Sequence, residues 1–131
     1  MKETYEASEY LKLSLDFDKL AKLRSNTSVL ATSRASSNKA VVSTNCPFCN
    51  EEETLNHFIL SCQKYENERA ECLNKIGSLI KDFKHLHKKD HLGIILNCHT
   101  KRCKAKNLTL IQCTIITFIN KIYKIRDSTN V

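Results

Sequence analysis

A mainly α-helical domain is the fold class this sequence predicts. Only two glycines and one proline punctuate its 131 residues. Strand-like alternation is scarce, and apolar residues in the C-terminal half recur every three or four positions, the spacing of one helix face. A chain of this length builds one domain with a modest core. The predicted division is an N-terminal extension over 1–15, a helical domain over 16–126 and a short tail over 127–131.

The first helix starts at Asp16 or Asp18, either of which can cap it, and it sets Phe17, Leu20 and Leu23 on one face. Residues 25–38, rich in Ser, Thr and Asn, read as a loop that Val29 and Leu30 can anchor, and 39–43 is at most a short extended piece. Beyond residue 63, Tyr65, Arg69, Cys72, Leu73, Ile76, Leu79, Ile80 and Phe83 predict a helix over 64–84 with Gly77 as its weak point. Residues 85–97 form a turn or short helix. The last helix carries Leu108, Ile111, Ile115, Phe118, Ile122 and Ile125, a stripe that fits core packing or, alternatively, a heptad seam to a partner.

Between the first loop and the long helix, Cys46, Cys49, His57 and Cys62 follow the order C-x2-C-x7-H-x4-C. Zinc takes four tetrahedral nitrogen and sulfur ligands, so a CxxC turn can hold one edge of the ion while a short helix supplies the other two. Pro47 and Phe48 form the turn, and Thr54 reads as the N-cap of a helix over 55–61 that carries His57. The knuckle thus spans 45–63 and would hold one structural Zn2+, with His57 neutral and its second nitrogen hydrogen-bonded. A redox CxxC pair and inert packing of four soft residues are the competing readings; the first lacks a thioredoxin-like context and the second leaves the spacing unexplained. Glu51, Glu52 and Glu53 read as a solvated loop that favours the positive end of the helix after Thr54. Cys98, His99 and Cys103 with Cys72 or Cys113 make only an improvised second ligand set.

Charge is unevenly divided. Residues 1–71 hold 9 Lys plus Arg against 11 Asp plus Glu, whereas 72–131 hold 12 against 3, so the net charge of +7 belongs to the C-terminal half. Lys81, Lys84, Lys88, Lys89, Lys101, Arg102, Lys104 and Lys106 form its dense stretch, an electrostatic footprint for the phosphate backbone of RNA or DNA. The competing reading is a lysine-rich face that keeps a small protein soluble. No adjacent aspartates of the kind that hold two catalytic metal ions occur, and the acids of the basic half do not cluster, so neither a polymerase nor a nuclease is expected. The scattered cysteines fit a reducing compartment. The residues around Glu3, Glu6 and Glu9 lack the apolar core of a signal peptide, and residues 108–119 are closed by Lys121 and Lys124 before reaching membrane-spanning length. An intracellular protein of nucleus or cytoplasm, with no membrane partner, is the expectation.

Cys46-Pro47-Phe48-Cys49, Glu53-Thr54, His57-Phe58-Ile59-Leu60, Cys62, Tyr65 and Arg69 together resemble the CCHC zinc-binding region downstream of the reverse transcriptase domain in non-LTR retrotransposons. Less specific similarity at 20–24 and 118–126 extends the resemblance to about residues 16–126. Ser25 and Asn26 stand where that family commonly has a glycine. The loop between Cys49 and His57 is longer than that of the retroviral capsid-type knuckle. The resemblance implies a non-catalytic accessory module that helps an element's polymerase handle template RNA or target DNA. Its partners would be nucleic acid and a reverse transcriptase core. The alternative function is protein interaction or self-association through the 108–125 stripe.

Overall fold

The computed structural model describes residues 17–26, 28, 30–32, 34, 43–97, 100–101 and 103–128. Among these it is mainly α, with four α-helices, a further helical turn through Ala31, Thr32 and Arg34, short π and 3-10 turns, and no strand beyond one isolated antiparallel bridge, Asn45 to Glu52. The four α-helices are α1 (Asp18–Arg24), α2 (Glu66–Leu79), α3 (Lys88–Asn97) and α4 (Ala105–Ser128).

Helix α1 buries Leu20 and Leu23. Its start differs from the expected cap: the N-cap is Phe17, with no side-chain hydrogen bond to the helix end. Asp18 lies inside the first turn, 3.2 Å from Lys22, and Asp16 lies outside the described residues. Just past the end of helix α1, Asn26 has a φ of 59°, which is left-handed. Glycine takes that conformation freely, and asparagine is among the few other residues that tolerate it. Leu30 and Ala31 are buried as anchors, but the chain there is helical rather than looped: Ala31, Thr32 and Arg34 lie in a helical turn, with the Arg34 amide donating to the Leu30 carbonyl at 2.9 Å, while Val29 and residues 39–42 lie outside the described residues.

The helix expected over 64–84 is shorter. Residues Gln63–Tyr65 make a 3-10 turn, α2 runs to Leu79, and the chain then breaks at Ile80, whose backbone is extended, and at Asp82, with φ 59°. Gly77 is not the weak point, because it sits inside the helix with Phe83 folded back beside it. That fold-back buries both Ile80 and Phe83, an apolar gain that continuing the helix would have to match. His91 on α3 stacks on Phe83 at 4.1 Å between ring centroids, and its Nε2 lies 2.8 Å from the Phe83 carbonyl oxygen.

Helix α4 is the spine, packed along α2 and α1. Ile111, Ile115, Ile116, Phe118, Ile119 and Ile122 are buried on it, so the apolar stripe is used within the chain's own core. The helix is long and apolar enough to cross a membrane by length and composition. Here, however, its apolar face covers α1 and α2, and its last turn carries the buried Arg126.

Arg126 meets Glu53, which is fully buried rather than solvated as expected. The Arg126 Nε donates to Glu53 Oε2 at 2.6 Å and its terminal nitrogen to Oε1 at 2.9 Å, a bidentate fork. Glu53 Oε1 also accepts the Ala31 amide at 2.6 Å, and the Glu53 carbonyl accepts the Thr32 hydroxyl at 2.6 Å. Burial pulls the Arg126 guanidinium towards losing its proton, but the hydrogen bonds and charge of Glu53 outweigh this and hold its pKa above the ordinary value. One carboxylate therefore ties together the helical turn at Ala31, the knuckle and the end of α4.

Removing one partner of such a pair leaves a buried charge without compensation. Glu53→Gln should lower the unfolding free energy by about 3–5 kcal/mol. Glu71→Gln, which loses only exposed contacts to Lys75 and Lys121, should cost less than about 1 kcal/mol. Urea denaturation midpoints at unchanged slope measure both.

Candidate metal centre

The knuckle begins as a chain reversal. Glu53 N–H donates to the Thr44 carbonyl at 2.8 Å, Cys46 N–H to Glu51 at 2.6 Å and Asn50 N–H to Cys46 at 3.0 Å. Asn50 closes the turn in a left-handed conformation, φ 60°. Pro47, which has no amide to satisfy and a preset φ, suits the position after Cys46. Together these place Cys46 and Cys49 on one side of a tight loop.

The second pair of side chains comes from a helical turn that Thr54 starts as expected, its hydroxyl accepting the His57 amide at 3.1 Å. The turn is not α-helical throughout. Over His57–Ser61 it widens to π, with the Cys62 amide donating to the His57 carbonyl at 2.7 Å. In an α-helix the residue five positions on lies about 140° around the axis. An i→i+5 ring returns it close to the same face, so the wider turn lets His57 and Cys62 converge.

The four ligand atoms lie within 4.8 Å of one another. The Cys62 sulfur is 3.9 Å from that of Cys46 and 3.5 Å from that of Cys49. Ligands at about 2.3 Å around a tetrahedral ion stand about 3.8 Å apart, so these separations are those of tetrahedron edges. Cys46, His57 and Cys62 are buried and Cys49 is half-buried. The His57 Nε2 is buried with no hydrogen-bond partner, while its Nδ1 lies 3.5 Å from Glu51 Oε2. A carboxylate on one ring nitrogen and an orphaned second nitrogen among sulfurs is how a metal-binding histidine is oriented. Burial pushes the Cys62 thiol up to about 12, and the neighbouring Cys49 and Cys46 add to this while the Lys64 amide opposes it. The group could thus hold a metal ion and fits one chemically.

Two further residues brace the centre. Tyr65 is fully buried, edge-on to Phe58 at 5.2 Å and to Phe48 at 6.0 Å, which joins the CxxC turn to the helical turn. Burial, reinforced by Cys62, Glu53 and Cys46, holds its phenol well above the ordinary tyrosine range. Arg69 on α2 donates to the Ile59 carbonyl at 2.9 Å and to the Cys62 carbonyl at 2.5 Å, satisfying acceptors at the end of the π turn. Burial lowers the Arg69 pKa against the pull of Cys62 and nearby carboxylates.

The basic residues fall into separate places. Lys81, Lys84, Lys88, Lys89, Lys101, Lys104 and Lys106 are exposed, and Arg102 lies outside the described residues. Lys81, Lys104 and Lys106 come together, lining one groove between the end of α2 and the start of α4 with Ser78, Asp82 and Asn107. Lys84, Lys88 and Lys89 lie on or beside the turn that leads into α3. Among the described residues, Cys46, Cys49, His57 and Cys62 are the one group close enough to share an ion; Cys98 and His99 lie outside the described residues. Glu51, Glu53 and Arg126 are the site residues that sequence reasoning missed. Three consecutive glutamates look alike, and the one available signal was the Glu53-Thr54 pair carried by the family resemblance.

Cys49→Ser should abolish stoichiometric metal binding and lower the melting temperature, because a structural metal supplies folding free energy directly. Cys113→Ser, at a half-buried position on α4, should leave metal content unchanged and shift melting far less. Elemental analysis and thermal melts of the two proteins check this.

Metal affinity should also fall steadily as pH drops. Binding must displace thiol protons, and the Cys62 pKa is raised to about 12, so acid competes with the metal for sulfur. Competition titrations against a chelator of known affinity at several pH values read the slope.

No protein-family model, no curated protein and no solved structure matches the chain.

Proposed function

We propose that this chain is a zinc-stabilised, non-catalytic nucleic-acid-binding module of the kind found downstream of the reverse transcriptase domain in non-LTR retrotransposons. Zinc is the metal because three thiolates and one imidazole in tetrahedral array suit it, whereas harder ions prefer oxygen. Four protein ligands leave no open position for substrate, so the ion staples the fold and does no chemistry. The ligand spacing, together with Tyr65 and Arg69 bracing the centre from positions that the family resemblance also includes, supports the origin.

The observation that carries the nucleic-acid part is the uncompensated charge of the C-terminal half. The seven described lysines of the dense stretch are exposed, and among the described residues the lysine ion pairs lie elsewhere, at Lys22, Lys75 and Lys121. Such a surface attracts phosphates without regard to base sequence. The convergence of Lys81, Lys104 and Lys106 gives it a focus. The interaction-module alternative has less support, because the stripe it would use is buried against α1 and α2.

Fluorescence anisotropy with labelled RNA and duplex DNA at several salt concentrations tests the proposal. Affinity should fall steeply with salt and depend weakly on sequence. Reversing Lys81, Lys104 and Lys106 to glutamate should weaken binding and, for three lost contacts, flatten the log–log salt slope by roughly 2.7. Zinc content and helicity should stay intact. Binding that ignores salt, or that survives this change together with reversal of Lys88, Lys89, Lys101 and Arg102, refutes it.

A further inference from the structure

The three sulfurs of the metal centre are not equally protected. Cys46 and Cys62 are 2% and 0% exposed, whereas Cys49 is half-buried. Cys49 also lines an open groove of about 620 Å³, together with Phe48, Glu51, His57, Gln63 and Lys64. A small solute entering this groove meets the Cys49 sulfur, and directly behind it, at 3.5 Å, stands the sealed sulfur of Cys62. An accessible thiolate backed by a second one is the arrangement of a sulfur that is oxidised and then resolved.

We infer that the metal centre is a peroxide-sensitive switch in which Cys49 is oxidised first and Cys62 closes a disulfide with it, expelling the ion. The inference rests on the metal-centre reading above for the ion, and on the sulfur geometry alone for the pairing. In the first step the Cys49 thiolate attacks one oxygen of hydrogen peroxide. The O–O bond breaks, hydroxide leaves, and Cys49 becomes a sulfenic acid. In the second step the Cys62 thiolate attacks the Cys49 sulfur, the S–S bond forms, the S–O bond breaks and a second hydroxide leaves. Two protons convert the hydroxides to water. The two sulfurs have lost two electrons and the peroxide has gained them. The metal is left with Cys46 and His57 alone, too few ligands to hold a structural ion. The pairing is not the one the CxxC sequence suggests, since Cys46 and Cys49 would be the obvious couple.

The test starts from purified full-length protein whose zinc content is counted before oxidation. Hydrogen peroxide is added, zinc release is followed with a chromogenic chelator, free thiols are alkylated, and the crosslink is mapped. Cleavage after glutamate separates the peptide containing Cys46 and Cys49 from the one containing Cys62, and fragmentation distinguishes Cys46 from Cys49. The expected result is one zinc released per chain, a Cys49–Cys62 disulfide with Cys46 alkylated, and recovery of zinc binding after a dithiol reductant and fresh zinc. A Cys46–Cys49 or Cys46–Cys62 disulfide, a sulfinic acid at Cys49 without a disulfide, or zinc retained through oxidation overturns the inference. Protein that carries no zinc at the outset refutes the metal-centre reading separately, and the crosslink map on that same sample still decides the pairing.

Discussion

The carboxylate of Glu53 is the point through which the tertiary structure is tied. Residues 53 and 126 are 73 apart in sequence, and their fork joins the knuckle to the last turn of α4 while the same oxygen takes the Ala31 amide. Such a pair pays heavily in desolvation, and its attraction offsets that cost only when the geometry is good and the remaining lone pairs are used. Both conditions hold here. The pair also fixes position in a way that apolar contact does not, because a fork accepts one partner at one angle. Ile111, Ile115, Ile119 and Ile122 could slide along α1 and α2 by a turn; Arg126 cannot leave Glu53 without stranding both charges.

The candidate metal centre depends on this frame. Glu53 immediately precedes Thr54, which starts the turn carrying His57, and the Glu53 amide closes the chain reversal that carries Cys46 and Cys49. Anchoring that residue therefore sets the distance between the two halves of the ligand set. Tyr65 links the aromatic rings of both halves, and Arg69 holds the turn's carbonyls from α2. These few contacts connect the Cys3His group to the docking of α2 and α4.

The ligand set and the spine helix were legible in the sequence because each is a matter of spacing: tetrahedral geometry constrains four residues, and a helical period constrains α4. Other features have no such local signature. Glu53 is one of three identical neighbours, and its burial is decided by a residue at the far end of the chain. The widening of the turn at His57, which lets His57 and Cys62 converge, follows no local sequence pattern. The end of α2 at Ile80 reflects the better burial of Phe83, a tertiary gain that helix propensity does not report. The left-handed positions were partly readable, since with so few glycines the chain uses Asn26, Asn50 and Asp82, all residue types able to adopt that conformation. The lysines of the basic half could be counted, but their division between one groove and the approach to α3 follows from where α2 stops and α4 starts.

The π turn has a consequence for how this sequence can vary. Between Thr44 and Arg69 nearly every offset is occupied: the Asn45–Glu52 bridge, the left-handed Asn50, the Glu53 fork, the Thr54 cap and the five-residue ring from His57 to Cys62. Substitution at an exposed position such as Glu52 or Gln63 disturbs none of them. Insertion or deletion of a single residue shifts all that follow by a step, and within the ring it changes the five-residue closure that sets His57 against Cys62. The segment therefore behaves as a block of fixed length, tolerant of changed letters but not of changed count, and length differences between this chain and any descendant would collect outside it.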